Sequence, residues 1–314
     1  MDKINTVLIK SYGIHPSGVT PQQGGWAALA YRVQKGERAY FLKKYEKSRA
    51  STPKWTALID RYAPILVWLD RNSGLNGKIP VPLLTVNGRY KCEDDEGIYM
   101  LYDYIEGTTI GADALTGLQA VRFAEIVAEL HSFGDSFPLD TEAIKEDFRV
   151  PFLERLKDAL RGNGATLPPA IRDRLLPFSS RLNALIADIE RLSALLPDRS
   201  LPMVLCHTDL HHWNLMKAED RLVLIDWEGL KLAPAEADMM FLTDKPYYES
   251  FMSAYLSVRP GYSANAEALS FYEGRRKLED IWEFMEQLLF DRQDDRDREA
   301  TLKLLAKELE SLDD

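Results

Sequence analysis

The patterning of this chain changes character once, near Gly107, and that change limits what it can fold into. Before Gly107, apolar residues come in short runs broken by turn signals. QQGGWAALAYRVQ (22–34) places a glycine turn ahead of a strand-like run, and ERAYFLKKY (37–45) is a second run ending in lysines. The short GE-containing turn between them suggests an antiparallel hairpin. In KWTALIDRYAPILVWLDRNSG (54–74), Leu58, Ile59, Ile65, Leu66 and Leu69 recur at near-helical spacing, with Gly74 as a stop and Pro64 as a point of kinking or restart. IPVPLLTVNGRYKCEDDEGIYMLYDYIEG (79–107) reads as a hairpin turning at Asn87–Gly88. Beyond Gly107 the pattern becomes long amphipathic helices, over 115–133, 152–161, 170–195 and 265–290, and the charged tail 291–314 reads as a solvated final helix. The expectation is an α+β fold of two lobes. A small β-rich lobe spans 1–102, a crossover 103–107, and a larger, mostly helical lobe 108–314.

With 314 residues and 46% hydrophobic content, the chain can bury a core in each lobe. Its formal charge of −10 repels phosphate backbones and attracts cations, which argues against nucleic acid and suits a polyamine-like substrate. The same charge also serves plain solubility. Cys92 and Cys206 lie far apart and outside any C-x-x-C pair, so neither a zinc site nor a disulfide scaffold is indicated. MDKINTVLIKSYG lacks the features of a signal peptide, and no apolar stretch approaches the ~20 residues of a membrane span. The expectation is a soluble, cytoplasmic protein, monomer or homodimer, without a membrane partner.

The residues that carry chemistry are LCHTDLHHWNLM (205–216) and LVLIDWEG (222–229). They present His207, Asp209, Asn214 and, after an apolar strand, Asp226. Phosphoryl transfer needs a carboxylate near the acceptor hydroxyl, oxygen ligands for magnesium and donors for the phosphates. An Asp and an Asn five residues apart can leave one loop on the same side. VLCH and LVLID read as strands that pin that loop like a hairpin. Taken singly, each of these side chains is as well explained by a turn cap.

H-x-D-x-x-x-x-N followed by I-D-W-E resembles the aminoglycoside phosphotransferase and choline kinase-like group, which has a bilobal protein-kinase-like fold. The resemblance implies an ATP- and magnesium-dependent kinase of a small-molecule acceptor. In it Asp209 is the catalytic carboxylate, His207 supports the loop, and Asn214 and Asp226 bind magnesium. It places Lys43 on the nucleotide phosphates, with Lys44 as the rival. Strand alternation favours Lys43, which shares a face with Phe41 and Tyr45. Gly24 and Gly25 stand at the nucleotide loop. LYDYIEG (101–107) resembles the hinge, where backbone groups of Asp103 and Ile105 would meet adenine. The group fixes its lysine with a glutamate on the next helix. No Glu lies between Glu46 and Glu93, so Asp60 is the nearest substitute, reaching either directly or through a water.

Within the group the text is most similar to the spectinomycin phosphotransferase branch, through VLCHTDLHHWNLM, LIDWEGLKLAPAEADMMFL (224–242), FMSAYLSV and LSFYEGRRKLEDI (269–281). That likeness implies an antibiotic acceptor. A metabolite acceptor of the homoserine, choline, fructosamine or methylthioribose type is the alternative, and a nucleotide-binding regulatory pseudokinase a third. Asp238 in PAEAD is expected to brace the catalytic loop or a helix start. Tyr272, Glu273, Arg276 and Asp280 share one helical stretch, read either as a sugar-binding face or as a salt-bridged helix surface.

Overall fold

Alternation along the strands builds the first sheet. In the computed structural model, which describes residues 2–22, 24, 27–161 and 167–313, β1 (Gly18–Gln22), β2 (Leu29–Lys35), β3 (Arg38–Glu46), β4 (Cys92–Glu93) and β5 (Gly97–Asp103) form one sheet of order β1-β2-β3-β5-β4, every pair antiparallel. Leu42 of β3 and Tyr99 and Leu101 of β5 point to one face, where they pack with Ile4, Val7 and Leu8 of α1 (Asp2–Tyr12). Phe41, Tyr45, Met100 and Tyr102 point to the other face, toward α3. The sheet is therefore covered on both sides. The second cover is the helical region expected over 54–74, though its break lies earlier than Pro64. Helix α2 (Thr52–Thr56) ends before Leu58, and α3 (Ile59–Asn72) carries Pro64 inside it. The buried stripe of α3, Ile59, Tyr62, Ala63, Leu66 and Leu69, follows the helical repeat and leaves Asp60 on the outside.

The Asn87–Gly88 turn forms, with Gly88 at φ 72° and its N–H on the Thr85 carbonyl at 2.9 Å. It does not join two ladder strands. The last strand instead pairs with β4 across a turn closed by Asp94, whose Oδ1 accepts the Glu96 and Gly97 N–H groups.

By internal packing the chain divides into two units, residues 1–48, 52–145 and 202–263 in one, and 49–51, 146–201 and 264–314 in the other. The first unit continues from the sheet through β6 (Thr108–Thr109) to α4 (Gly117–Leu130), whose start is fixed by Thr116 and Gln119 capping each other's backbone N–H. It then takes up β7 (Met203–Cys206), β8 (Leu215–Ala218), β9 (Arg221–Leu224), β10 (Lys231–Pro234), the short α8 (Glu236–Met239) and α9 (Tyr248–Val258). The strands around the catalytic string were expected to pair with each other. Instead β7 pairs with β10 and β9 with β8, so each anchors a different end of the loop.

The second unit holds α5 (Leu153–Arg161), α6 (Pro169–Leu175), α7 (Ser179–Leu195), α10 (Ala266–Phe290) and α11 (Asp295–Glu310). The continuous helix expected over 170–195 is divided at Leu176–Phe178, where Pro177 cannot donate to the preceding turn. Arg276 and Asp280 form an i,i+4 ion pair at 2.9 Å, as the salt-bridged reading has it, while Tyr272 is buried. Cys92 and Cys206 are not disulfide-bonded. Among the described residues no helix is long and apolar enough to cross a membrane.

Candidate active site

The site is assembled within the first unit from three stretches of chain. Strand β3 supplies Lys43, which the alternation aims to the α3 face beside Phe41 and Tyr45, while Lys44 turns outward to Glu96. Lys43 Nζ lies 2.7 Å from Asp226 Oδ1 and 2.5 Å from Glu228 Oε1, with little of its side chain exposed. Burial acts to lower the Lys43 pKa, but the charges of Asp226 and Glu228 outweigh it and hold the ammonium well above its ordinary value. Glu228 also accepts the Tyr45 hydroxyl, whose pKa burial raises. Asp60 takes no part. It sits on the outer side of α3 against Lys91 at 3.2 Å, so the Asp60–Lys43 pair is not formed. Glu228, two residues after Asp226 on the same strand exit, stands where a helix glutamate was expected.

The second stretch is the loop after β7. His207 is fully buried, donates its backbone N–H to Asp238 Oδ2 at 3.0 Å and sets Nε2 2.8 Å from the Ile225 carbonyl. Thr208 adopts φ 68°, a left-handed conformation unfavourable for a β-branched residue. Two bonds hold it there: its N–H on Asp238 Oδ1 at 2.5 Å and its hydroxyl on the Gly229 carbonyl at 2.8 Å. Gly229 admits that approach because a Cβ there would meet Thr208 Oγ1 at 2.4 Å. Asp238 in turn receives His131 Nε2 at 2.9 Å, and His131 Nδ1 meets the Tyr255 hydroxyl at 2.8 Å. Asp238 thus braces the loop after β7, as one of the two sequence readings has it. His131, Cys206 and Asp238 cluster closely enough to suggest a metal. Their polar atoms are already spent on one another, on Tyr255 and on backbone groups.

The turn that follows brings Asp209 and Asn214 together. Asn214 Nδ2 donates to the Asp209 carbonyl at 3.0 Å and to its Oδ2 at 2.8 Å. The Asn214 backbone carbonyl accepts the Ile225 N–H at 2.9 Å, which ties this turn to the segment after β9 that carries Asp226. Asp226 itself has φ 66°. The donor chemistry suits magnesium: with its nitrogen used on Asp209, Asn214 offers its amide oxygen, and Asp226 offers a carboxylate.

The third stretch is the crossover. Tyr104 N–H bonds the Ala39 carbonyl at 3.2 Å, while Leu101 O faces the opposite way to accept Leu83 N–H at 2.7 Å. By that alternation Asp103 directs its N–H and C=O away from β3. Asp103 is exposed and Ile105 half-buried. Gly24, in the β1–β2 connection, passes so close to the Ala28 carbonyl that a Cβ would lie 2.6 Å from it. Gly25 lies outside the described residues.

Sequence reasoning gave no role to Glu228, Tyr45, His131 or His211. Glu228 and His211 stand in the strings that carried the resemblance, but their partners are set by the fold.

A buried, charge-held lysine facing a carboxylate, beside a loop with an Asp–Asn pair, on an α+β scaffold, defines a kinase-type phosphotransferase site. The sequence profile of the phosphotransferase enzyme family matches residues 18–280, and the chain belongs to that family. Its structure is similar to that of spectinomycin phosphotransferase, APH(9)-Ia, in complex with ADP and spectinomycin, with a TM-score of 0.73 at 21% identity over 99% of this chain and 98% of that one. It is similar to choline kinase LicA from Streptococcus pneumoniae, with a TM-score of 0.63 at 19% identity over 99% and 97%. It is similar also to APH(2")-IIia in its GDP and kanamycin complex, with a TM-score of 0.62 at 14% identity over 100% and 98%. The likeness is one of fold, the α+β, protein-kinase-like fold expected of the sequence.

Proposed function

We propose that this phosphotransferase is an ATP- and magnesium-dependent kinase that phosphorylates a hydroxyl of a cationic small molecule of the aminoglycoside or spectinomycin type. The observation that carries the reading is the Asp209–Asn214 pair at 2.8 Å on a loop tied by backbone to Ile225, next to Asp226. Asp209 orients the acceptor hydroxyl and takes its proton late, as the bond to phosphorus forms. Lys43, kept charged by its two carboxylates, faces the nucleotide phosphates. Asn214 and Asp226 would hold magnesium, which when bound supplies positive charge against the phosphates. Backbone groups of Asp103 and Ile105 meet adenine, and His207 holds the loop by its bond to Ile225. The net charge of −10 favours a cationic acceptor.

A second reading keeps the chemistry and changes the acceptor to a metabolite, since a choline kinase shares the fold about as well as the kanamycin-bound aminoglycoside enzyme does, though less well than the spectinomycin enzyme. Magnesium-dependent ADP release against spectinomycin, several aminoglycosides, choline, homoserine and a fructosamine separates the two. Turnover with an antibiotic names the substrate; turnover with a metabolite moves the biology. Asp209→Ala is expected to bind ATP with wild-type affinity while turnover collapses by at least about 100-fold. Wild-type turnover in that variant removes the mechanism.

A further inference from the structure

Asn214 is carried by a short 3-10 turn, His212–Asn214, in the loop after β7. A turn of three residues has little stability of its own, so bonds from outside must hold its shape. Several of them come through His212. Its carbonyl accepts the Gly111 N–H at 3.0 Å and the Leu215 N–H that ends the turn. Its imidazole reaches in two directions. Nδ1 lies 3.1 Å from the Asp113 carbonyl, ahead of α4, and Nε2 lies 2.9 Å from the hydroxyl of Tyr247, the residue before α9. A carbonyl only accepts, so Nδ1 carries a hydrogen and donates it to the Asp113 oxygen. The Tyr247 ring is buried and lies beside the imidazole, with centroids 5.4 Å apart and planes 31° from parallel. The next residue, Trp213, rests its indole on Gly111, where a Cβ would meet the ring at 3.0 Å.

We infer that His212 is a positioning residue for phosphoryl transfer: by joining the Asp113 carbonyl to the Tyr247 hydroxyl across its ring, it fixes the turn from which the Asn214 amide holds Asp209. This rests on the reading of Asp209 proposed above. The path from ring to carboxylate is short. Asn214 Nδ2 bonds the Asp209 carbonyl at 3.0 Å and Oδ2 at 2.8 Å, so a shift of the turn lengthens both bonds and loosens the carboxylate. Both ring nitrogens of His212 are spent on protein groups, which leaves neither for a substrate. Its effect therefore falls on the reacting geometry, not on the affinity for nucleotide or acceptor.

Two substitutions remove the same bond from its two ends. Tyr247→Phe takes away the hydroxyl and keeps the buried ring. His212→Asn keeps an amide N–H at the reach of Nδ1 for the Asp113 carbonyl and stops short of Tyr247. The assay is steady-state ADP release per folded molecule, with the acceptor found among the candidates above and thermal melting as the check on folding. Each variant is expected to lower kcat about 3- to 10-fold, the range for one hydrogen bond between uncharged groups, with both KM values within about twofold. The Tyr247→Phe, His212→Asn double variant is expected to be within about twofold of the slower single one, because the second change has no bond left to break. His212→Ala loses the Asp113 bond as well and is expected to be slower than His212→Asn. Wild-type kcat in Tyr247→Phe, even with a lowered melting temperature, overturns the inference, since the bond then serves folding alone. So do losses that multiply in the double variant. Asp209→Ala is the reference: if it turns over normally, the reading of Asp209 itself has failed. If it is inert while Tyr247→Phe is fully active, only the role of His212 is lost.

Discussion

Glu228→Gln asks whether Lys43 is held by the segment after β9 that carries Asp226 rather than by the helix behind the sheet. Glu228 Oε1 receives Lys43 Nζ at 2.5 Å and the Tyr45 hydroxyl, and its side chain is 8% exposed. Glutamine keeps the shape and one acceptor oxygen but gives up the charge. A hydrogen bond to a charged group contributes about 1.5–3 kcal/mol and a neutral one about 0.5–1.5 kcal/mol, so the substitution removes about 1–1.5 kcal/mol from the hold on Lys43. In the free protein Asp226 still lies 2.7 Å from Lys43, so folding is expected to survive. With nucleotide bound, the proposed function turns Asp226 toward the ion, and Glu228 becomes the carboxylate that keeps Lys43 aimed at the phosphates. The loss then falls on nucleotide recognition.

At about 1.36 kcal/mol per tenfold, that loss corresponds to a rise of about 5- to 15-fold in the nucleotide KM. The assay is ADP release at saturating acceptor with the nucleotide titrated, supported by direct nucleotide binding. Asp60→Asn is the control, since Asp60 pairs with Lys91 on the outer side of α3. It is expected to stay within about twofold of wild type, as exposed ion pairs contribute little. A Glu228→Gln variant with wild-type nucleotide KM refutes the argument. So does an Asp60→Asn variant that reproduces the rise.

Two further outcomes concern one buried carboxylate, Asp238, and one half-buried, Asp280. Asp238→Asn turns an amide NH2 toward N–H donors that a carboxylate accepts from His207, Thr208 and His131, at a site with no solvent exposure. Loss of about 2–5 kcal/mol of stability is expected, read as a lowered urea midpoint, together with a fall in kcat as Thr208 relaxes. Asp280 has its pKa raised by burial to about 7, with Arg276 opposing that rise and Glu283 and Glu308 adding to it. Between its ordinary 3.8 and about 7 the folded chain keeps a proton the unfolded chain has released, so Asp280 makes stability fall as pH rises through that window. Asp280→Asn is expected to flatten this slope, seen as a urea midpoint that gains on wild type between about pH 5 and pH 8; parallel curves for the two proteins would contradict it.

Local pattern carried far in this chain. The alternation of ERAYFLKKY put Lys43 and not Lys44 on the inner face, and the structure has Lys43 beside Tyr45 and Lys44 on exposed Glu96. The helices over 115–133 and 265–290 appear as α4 and α10, because their apolar residues keep the helical repeat for several turns. Helix α1 escaped notice although Ile4, Val7 and Leu8 are helically spaced and Gly13, at φ 64°, closes it. A segment of 11 residues is weak alone, and the face of the sheet it covers supplies its stability. Partners distant in sequence were beyond such patterns. Periodicity states which face of α3 is buried, and on that count Asp60 should have been placed outside. It does not state that Glu228, 185 residues after Lys43, would take the lysine.

The same limit explains why the catalytic string looks so specific while its geometry is determined elsewhere. Thr208 and Asp226 both adopt left-handed backbone, at φ 68° and 66°, and neither is a glycine. Conformations of this kind cost of order 1–3 kcal/mol each and persist only where surrounding bonds over-determine them. For Thr208 those bonds come from Asp238 and Gly229. For Asp226 the adjoining Ile225 is tied at both polar ends, its N–H to Asn214 O and its carbonyl to His207 Nε2. The bonds that hold the two strained residues thus meet at His207, whose N–H goes to Asp238 and whose Nε2 goes to the Ile225 carbonyl. His131, Asp238 and Tyr255 extend that set into the helical core through α4 and α9, which pack through Phe123 and Phe251 at 5.4 Å. A core substitution such as Phe251→Ala therefore reaches the loop along this path. Its cost in stability, about 3–5 kcal/mol for a buried aromatic, should come with a disproportionate loss of kcat. If turnover per folded molecule is unchanged in that variant, the loop holds its strain without the helices, and the buried network is a matter of folding alone.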